Sequence, residues 1–156
     1  MNVSSDEHAC AQAWAALNAA HTRVAGLLAE NLTRACGMTV TEFEILLRLD
    51  GPPGRRLRLS QLNSAVPLTQ PALSRAVTRL SGRGWLARAG APEDGRGVMI
   101  VLTQAGESVL REAIPVHART IREALLDRLS APEQETMAEV LRRIADSEPM
   151  PGAFSG

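Results

Sequence analysis

One stretch of this chain reads as a pair of strands, and it follows directly on two short helices. In GWLARAGAPEDGRGVMIVLT, residues 84–103, two brief apolar runs flank a segment dense in Gly, Pro and charge. That pattern is a β-hairpin over 85–89 and 98–102. Upstream, Ser60 can cap a brief helix, SQLNSAV, carrying Leu62 and Val66. After PLT a second helix, QPALSRAVTRLSGRG, opens at Thr69, or at Gln70 if Pro71 takes the first helical position, and stops at Gly82 and Gly84. The alternating LRL at 57–59 is long enough for a very short extra strand. Two short helices with a tight turn between them, followed by a hairpin, describe a winged helix-turn-helix.

The flanks are helical. Residues 6–35 are rich in Ala and Leu without an internal Pro, and Trp14, Leu17, Val24 and Leu28 recur at helical spacing until Cys36-Gly37 ends the run. In MTVTEFEILLRLDG, Thr39 and Glu42 have capping-box spacing, Phe43, Leu46 and Leu47 form a buried face, and Asp50-Gly51 is a stop. Thr103 caps a long helix expected to reach about residue 129, with a kink at Pro115. SAPE at 130–133 opens a last helix whose Met137, Val140, Leu141 and Ile144 share a stripe. Residues 149–156 read as a disordered tail.

The fold class is therefore mainly α (α+β): a winged helix-turn-helix over 39–103, with long helices in 1–38 and 104–148. A winged lobe of that size closes its own core. The outer apolar stripes then need another surface, and a second copy of the chain is the economical one.

Net charge is zero, but it is unevenly spread. Residues 55–96 hold eight arginines (Arg55, Arg56, Arg58, Arg75, Arg79, Arg83, Arg88 and Arg96) against Glu93 and Asp94, a balance of +6; the remainder balances at −6. A basic middle between acidic ends points to a polyanion such as nucleic acid. On a helical wheel of 70–83, Leu73, Val77 and Leu80 converge on one face. Pro71, Arg75, Thr78 and Gly82 lie opposite, with Ala72, Ser74 and Arg79 at the flanks and no acid among them. Small residues permit close approach to the major groove, hydroxyls contact phosphate or bases, and Arg can grip a guanine edge at two points. Thr69, Gln70, Pro71, Ser74, Arg75, Thr78 and Arg79 are the helix's candidate DNA contacts. In the hairpin, Asp94 can orient Arg96, whose guanidinium suits the negative potential of a narrow minor groove.

Other classes fit less well. There is no G-x-S-x-G, no phosphate-cradling Gly loop and no Cys paired with a strand-borne His, so nothing favours an enzyme. No apolar stretch approaches the ~20 residues of a membrane span. The polar, acidic start MNVSSDEHAC lacks the features of a secretory signal, which leaves a cytoplasmic location as the default. A winged helix that docks on protein would normally show an apolar or acidic outer face, and Arg75, Arg79 and Arg96 oppose that alternative. Two cysteines without a C-x-x-C motif support neither a disulfide scaffold nor structural zinc, and no cofactor is implied.

The run from Ala72 to Gly106 resembles the multiple antibiotic resistance regulator (MarR) family of bacterial transcription regulators. ALSRAVTRL, GWL, DGR, Thr103 and Gly106 stand in the family's register, and TVTEFEILLRLD at 39–50 is similar to its second helix. Ser81 replaces a common acid after the recognition helix, and Gly95 replaces the middle Arg of an Asp-Arg-Arg wing, so the carried-over wing roles fall on Asp94 and Arg96. The resemblance implies a homodimer with interleaved first, fifth and sixth helices on a pseudo-palindromic operator. It also implies a small phenolic or lipophilic ligand between the dimerisation helices and the DNA-binding lobe, whose binding releases DNA from what is usually a repressor.

Some family members sense oxidants through a cysteine early in the first helix, where Cys10 stands. The chain has no Tyr to hold such a thiolate, and Asp6-Glu7 oppose its formation, so an ordinary helix cysteine is the plainer reading. Others bind zinc through paired His, but His8, His21 and His117 lack H-x-x-x-H spacing, and no metal site is expected. Trp14, His21, Arg23 and His117 are candidates to line a pocket for an aromatic ligand, against the simpler role of packing and dimer contact.

Overall fold

A computed structural model describes residues 5–90 and 97–146. Six helices, α1 (Ser5–Cys36), α2 (Val40–Asp50), α3 (Leu59–Ala65), α4 (Gln70–Gly82), α5 (Gln104–Ala124) and α6 (Ala131–Ala145), surround three strands, β1 (Arg56–Arg58), β2 (Leu86–Gly90) and β3 (Val98–Leu102). The strands form one antiparallel sheet in the order β1-β3-β2, with Leu57 opposite Ile100 and Ala87 opposite Val101. This is a winged helix-turn-helix framed by long helices.

Local chemistry sets most boundaries. Gly37, at φ +62, ends α1 in the left-handed region that favours glycine. At α2 the capping box forms as the spacing predicts: Thr39 Oγ1 accepts from Glu42 N at 3.2 Å, and Glu42 Oε2 accepts from Thr39 N at 3.0 Å. Around β1 the structure departs from the pattern by one residue. Leu59 begins α3 rather than ending the strand, Gln61 Oε1 accepts from Arg58 N at 2.9 Å, and Ser60 lies inside the helix instead of capping it. The helix α5 continues past Pro115 and ends at Ala124, short of 129, and a 3-10 turn at Leu126–Arg128 follows. Gln134 Nε2 braces that turn by donating to the carbonyls of Leu126 and Leu129 at 3.0 and 3.1 Å.

One core runs through the lobe. Phe43, Ile45, Leu46, Leu49, Leu62, Leu73, Ala76, Val77, Leu80, Leu86 and Ile100 are buried together, with Leu32, Met38, Leu110 and Ala113 continuing it onto α1 and α5. Leu47 does not join Phe43 and Leu46 in it: it is 43% exposed. Ile45 and Leu49 occupy the inward positions, because α2 is covered by the lobe on one side and by α5 on the other, leaving Leu47 at a gap between the two. The packing of α1 on α5 is keyed by Asn31 Nδ2, which donates to the buried Thr120 Oγ1 at 2.9 Å.

The wing is fastened to α5 at one joint. Thr103 N donates to the Trp85 carbonyl at 3.1 Å, and Thr103 Oγ1 accepts from Gly106 N at 3.0 Å. The hydroxyl's own hydrogen is directed at the Gly84 and Trp85 carbonyls, 2.7 and 3.0 Å away. The outer helices are left bare. Every residue of α1 from 6 to 23 is exposed, Trp14 at 68%, and no residue of α6 is buried.

Candidate nucleic-acid interface

The helix α4 turns its two faces in opposite directions. Leu73, Ala76, Val77 and Leu80 are buried, while Thr69, Gln70, Pro71, Ser74, Arg75, Thr78, Arg79 and Gly82 are exposed. Thr69 occupies the N-cap position, yet its hydroxyl makes no capping bond. That hydroxyl, beside the electropositive end of the helix, remains available to an anion. A shallow hollow of about 320 Å³ runs along this edge, lined by Thr39, Thr41 and Leu68 together with Ala72, Arg75 and Arg79 of α4. Arg75 has no ion-pair partner among the described residues.

Other arginines of the basic segment are partly or wholly committed. Arg55, held at φ +50, bonds to Glu107 of α5 and lies 3.2 Å from Asp50, tying the α2–β1 connection to α5. The hydrogen bond from Arg55 holds the Glu107 carboxyl below the usual range. Arg83 Nη2 donates to the Gly37 carbonyl at 2.8 Å, and its guanidinium carbon sits 3.7 Å over the Trp85 ring. Arg83 therefore joins α1, α4 and the base of the wing.

Two features of the interface escape a reading of the α4 wheel alone. First, Arg88 of β2 reaches across to α4, its Nη2 donating to Thr78 Oγ1 at 3.0 Å. Thr78 in turn donates to the Ser74 carbonyl at 2.9 Å, so its one hydroxyl hydrogen is already used. On the exposed face of α4, Thr78 thus carries an arginine from the wing's first strand. Second, although α4 carries no acid, Glu42 of α2 lies behind it, 3.5 Å from Arg79 Nε and 3.6 Å from Arg83 Nη1. The capping box was visible in the sequence; that its acid also underlies α4 was not. Asp94 and Arg96 lie outside the described residues.

The ligand candidates separate. His117 stacks on Phe43, ring centroids 4.5 Å apart, and the two line a cavity of about 370 Å³ with Leu47, Arg48, Val66 and Pro67. Trp14, His21 and Arg23 stand on the exposed half of α1 and do not line it. Burial holds the His117 pKa below the ordinary value, an effect that Glu44 partly offsets. The unfolded chain therefore takes up a proton more readily than the folded one. Stability is lost as pH falls through about 6.5 toward the lowered folded value. The drop in melting temperature from about pH 7 to about pH 5 is expected to be smaller in His117→Phe, which keeps the stack but cannot titrate; equal drops would exclude this role. Cys10 is exposed on α1, and burial, with Glu112 adding to it, pushes the Cys36 thiol up. Among the described residues no three His, Cys, Asp or Glu side chains are grouped to hold a metal ion, and no helix is long and apolar enough to cross a membrane.

Comparison with known proteins gives a consistent family. A family model described as MarR family matches residues 37–97. The transcriptional repressor MprA of Escherichia coli is 26% identical over 113 residues, covering 72% of this chain, which spans 64% of that protein's length. The crystal structure of Sco3205, a MarR family transcriptional regulator from Streptomyces coelicolor in complex with DNA, superposes with a TM-score of 0.84 at 32% identity, covering 99% of this chain and 96% of that one. AbsC, another MarR family regulator from the same organism, gives 0.82 at 26% identity over 94% and 96% of the two chains.

Proposed function

Since the chain belongs to the MarR family of transcriptional regulators, we propose that it acts as a homodimer on a pseudo-palindromic operator in double-stranded DNA, as a cytoplasmic repressor released by a small aromatic or lipophilic ligand. The observation that carries this reading is the exposed face of α4, which offers Arg75 and Arg79 with hydroxyls and small residues and no acid of its own. In this reading residues 39–103 are the DNA-binding lobe. Thr69, Gln70, Pro71, Ser74, Arg75, Thr78 and Arg79 enter the major groove, Arg88 joins them from β2, and Asp94 and Arg96 serve the wing.

Residues 1–38 and 104–148 form the dimerisation region. In support, Trp14 and Leu17 on α1, Ile114 on α5 and Val140, Leu141 and Ile144 on α6 are all exposed apolar side chains in the single chain. Large apolar side chains left bare on three helices are what an interface between copies would cover. Release by a ligand is supported by the cavity beside His117. It lies between α2, α5 and the connection into α4, so an occupant would bear on both the dimerisation helices and the lobe.

Selecting bound fragments from genomic DNA, then measuring their affinity by fluorescence anisotropy across salt concentrations, tests the reading. The slope of log affinity against log salt should be steep, close to 0.9 for every phosphate neutralised. Arg75→Ala is expected to weaken operator binding by ~1–3 kcal/mol and to affect random DNA much less, as for an arginine that reads a base edge. Equal losses on both DNAs would reduce Arg75 to a phosphate contact. A protein that selects no fragment even in dilute buffer would end the DNA reading.

A further inference from the structure

We infer that Glu42 is a positioning residue for DNA recognition: its buried carboxylate holds Arg79 by one edge so that the other edge of the guanidinium meets the operator. This rests on the reading of α4 as the DNA-contacting helix. Glu42 is 6% exposed by its side chain, whereas that of Arg79 is 57% exposed, so the acid lies beneath the surface and the base stands on it. The two carboxylate oxygens face different groups. Oε2 accepts from Thr39 N at 3.0 Å and lies 3.6 Å from Arg83 Nη1, and Oε1 lies 3.5 Å from Arg79 Nε.

The choice of Nε matters. A guanidinium has a fork formed by its two terminal nitrogens and a second edge that includes Nε. A carboxylate on the Nε side leaves the terminal fork for a planar, two-point acceptor such as a guanine edge. An arginine held in this way loses less conformational entropy when it binds its target. The acid is itself placed by the capping bond from Thr39 N to Oε2, and Arg83 adds its charge beside that same oxygen. Arg83 is itself fixed by the Gly37 carbonyl and the Trp85 ring.

The carboxylate has two opposed consequences for binding. It lowers the attraction of the surface for any DNA by one negative charge, and it raises discrimination by fixing the direction of Arg79. Glu42→Gln separates them, since Gln also serves at this position of a capping box. Random DNA should bind Glu42→Gln more tightly, with its salt slope steeper by about 0.9. Operator binding should weaken, so that the ratio of operator to random affinity falls about tenfold, within the range of one two-point base contact.

In an Arg79→Ala background the same substitution should leave that ratio unchanged, because nothing remains to be positioned. An unchanged ratio in Glu42→Gln alone, or parallel losses on both DNAs, would overturn the inference and leave Glu42 a structural acid. Failure of the unsubstituted protein to prefer any genomic fragment would instead overturn the reading on which it rests.

Discussion

A chain truncated after Leu129 is expected to elute as a monomer or to aggregate, and to bind its operator roughly a hundredfold or more weakly, because two linked half-sites become one. The reason is the apolar side of α6, which the single chain leaves largely uncovered. None of its residues is buried, yet Met137, Val140, Leu141 and Ile144 share one side, Ile144 at 58% exposure. A helix of 15 residues is marginal in water without tertiary packing. Fully burying each of these part-covered side chains adds roughly 1 kcal/mol. Twofold pairing doubles this gross gain to on the order of 8 kcal/mol, enough to offset much of what association costs. Light scattering coupled to size-exclusion chromatography measures the mass directly. A truncated chain that stays a well-folded dimer would move the interface to α1 and α5 alone and refute the role assigned to the α6 stripe.

The second large effect is expected from a single methyl group. Gly106→Ala replaces a helical glycine, a change that in an open helix would stabilise by up to ~1 kcal/mol. Here the added Cβ would stand 2.1 Å from the Trp85 carbonyl oxygen and 2.8 Å from Leu102 Cδ1. The carbonyl cannot retreat, because Thr103 N holds it at 3.1 Å and that bond fastens the base of the wing to α5. Overpacking against fixed backbone costs about 3 kcal/mol, so the sign reverses and the melting temperature should fall by roughly 6–12 °C. Differential scanning calorimetry decides it. A stability equal to or above that of the unsubstituted protein would show that β2 and α5 are not joined as described.

Gly106 also marks how far the sequence could be read. Its spacing from Thr103 was visible, and Thr103 does cap α5. The steric reason for the glycine was not visible, because the obstructing carbonyl belongs to Trp85, on the far side of the hairpin. The same division holds in α2. Periodicity placed Phe43 and Leu46 inward correctly, but it could not separate Leu47 from Ile45 and Leu49, since α2 is flanked by two different surfaces. Of Trp14, His21, Arg23 and His117, the fold brings His117 alone to the cavity beside Phe43.

Near neighbours in the chain therefore decided a great deal without help. Helical repeat, capping spacing, glycine stops and the clustering of arginines depend on interactions over a few residues, and they set the order of elements and the two faces of α4. Tertiary structure alone decided what stands behind and beside that face. Glu42 beneath Arg79, Arg88 on Thr78 and Arg83 between Gly37 and Trp85 join separate elements, and such contacts exist only once the core between α2, α4 and the sheet has closed.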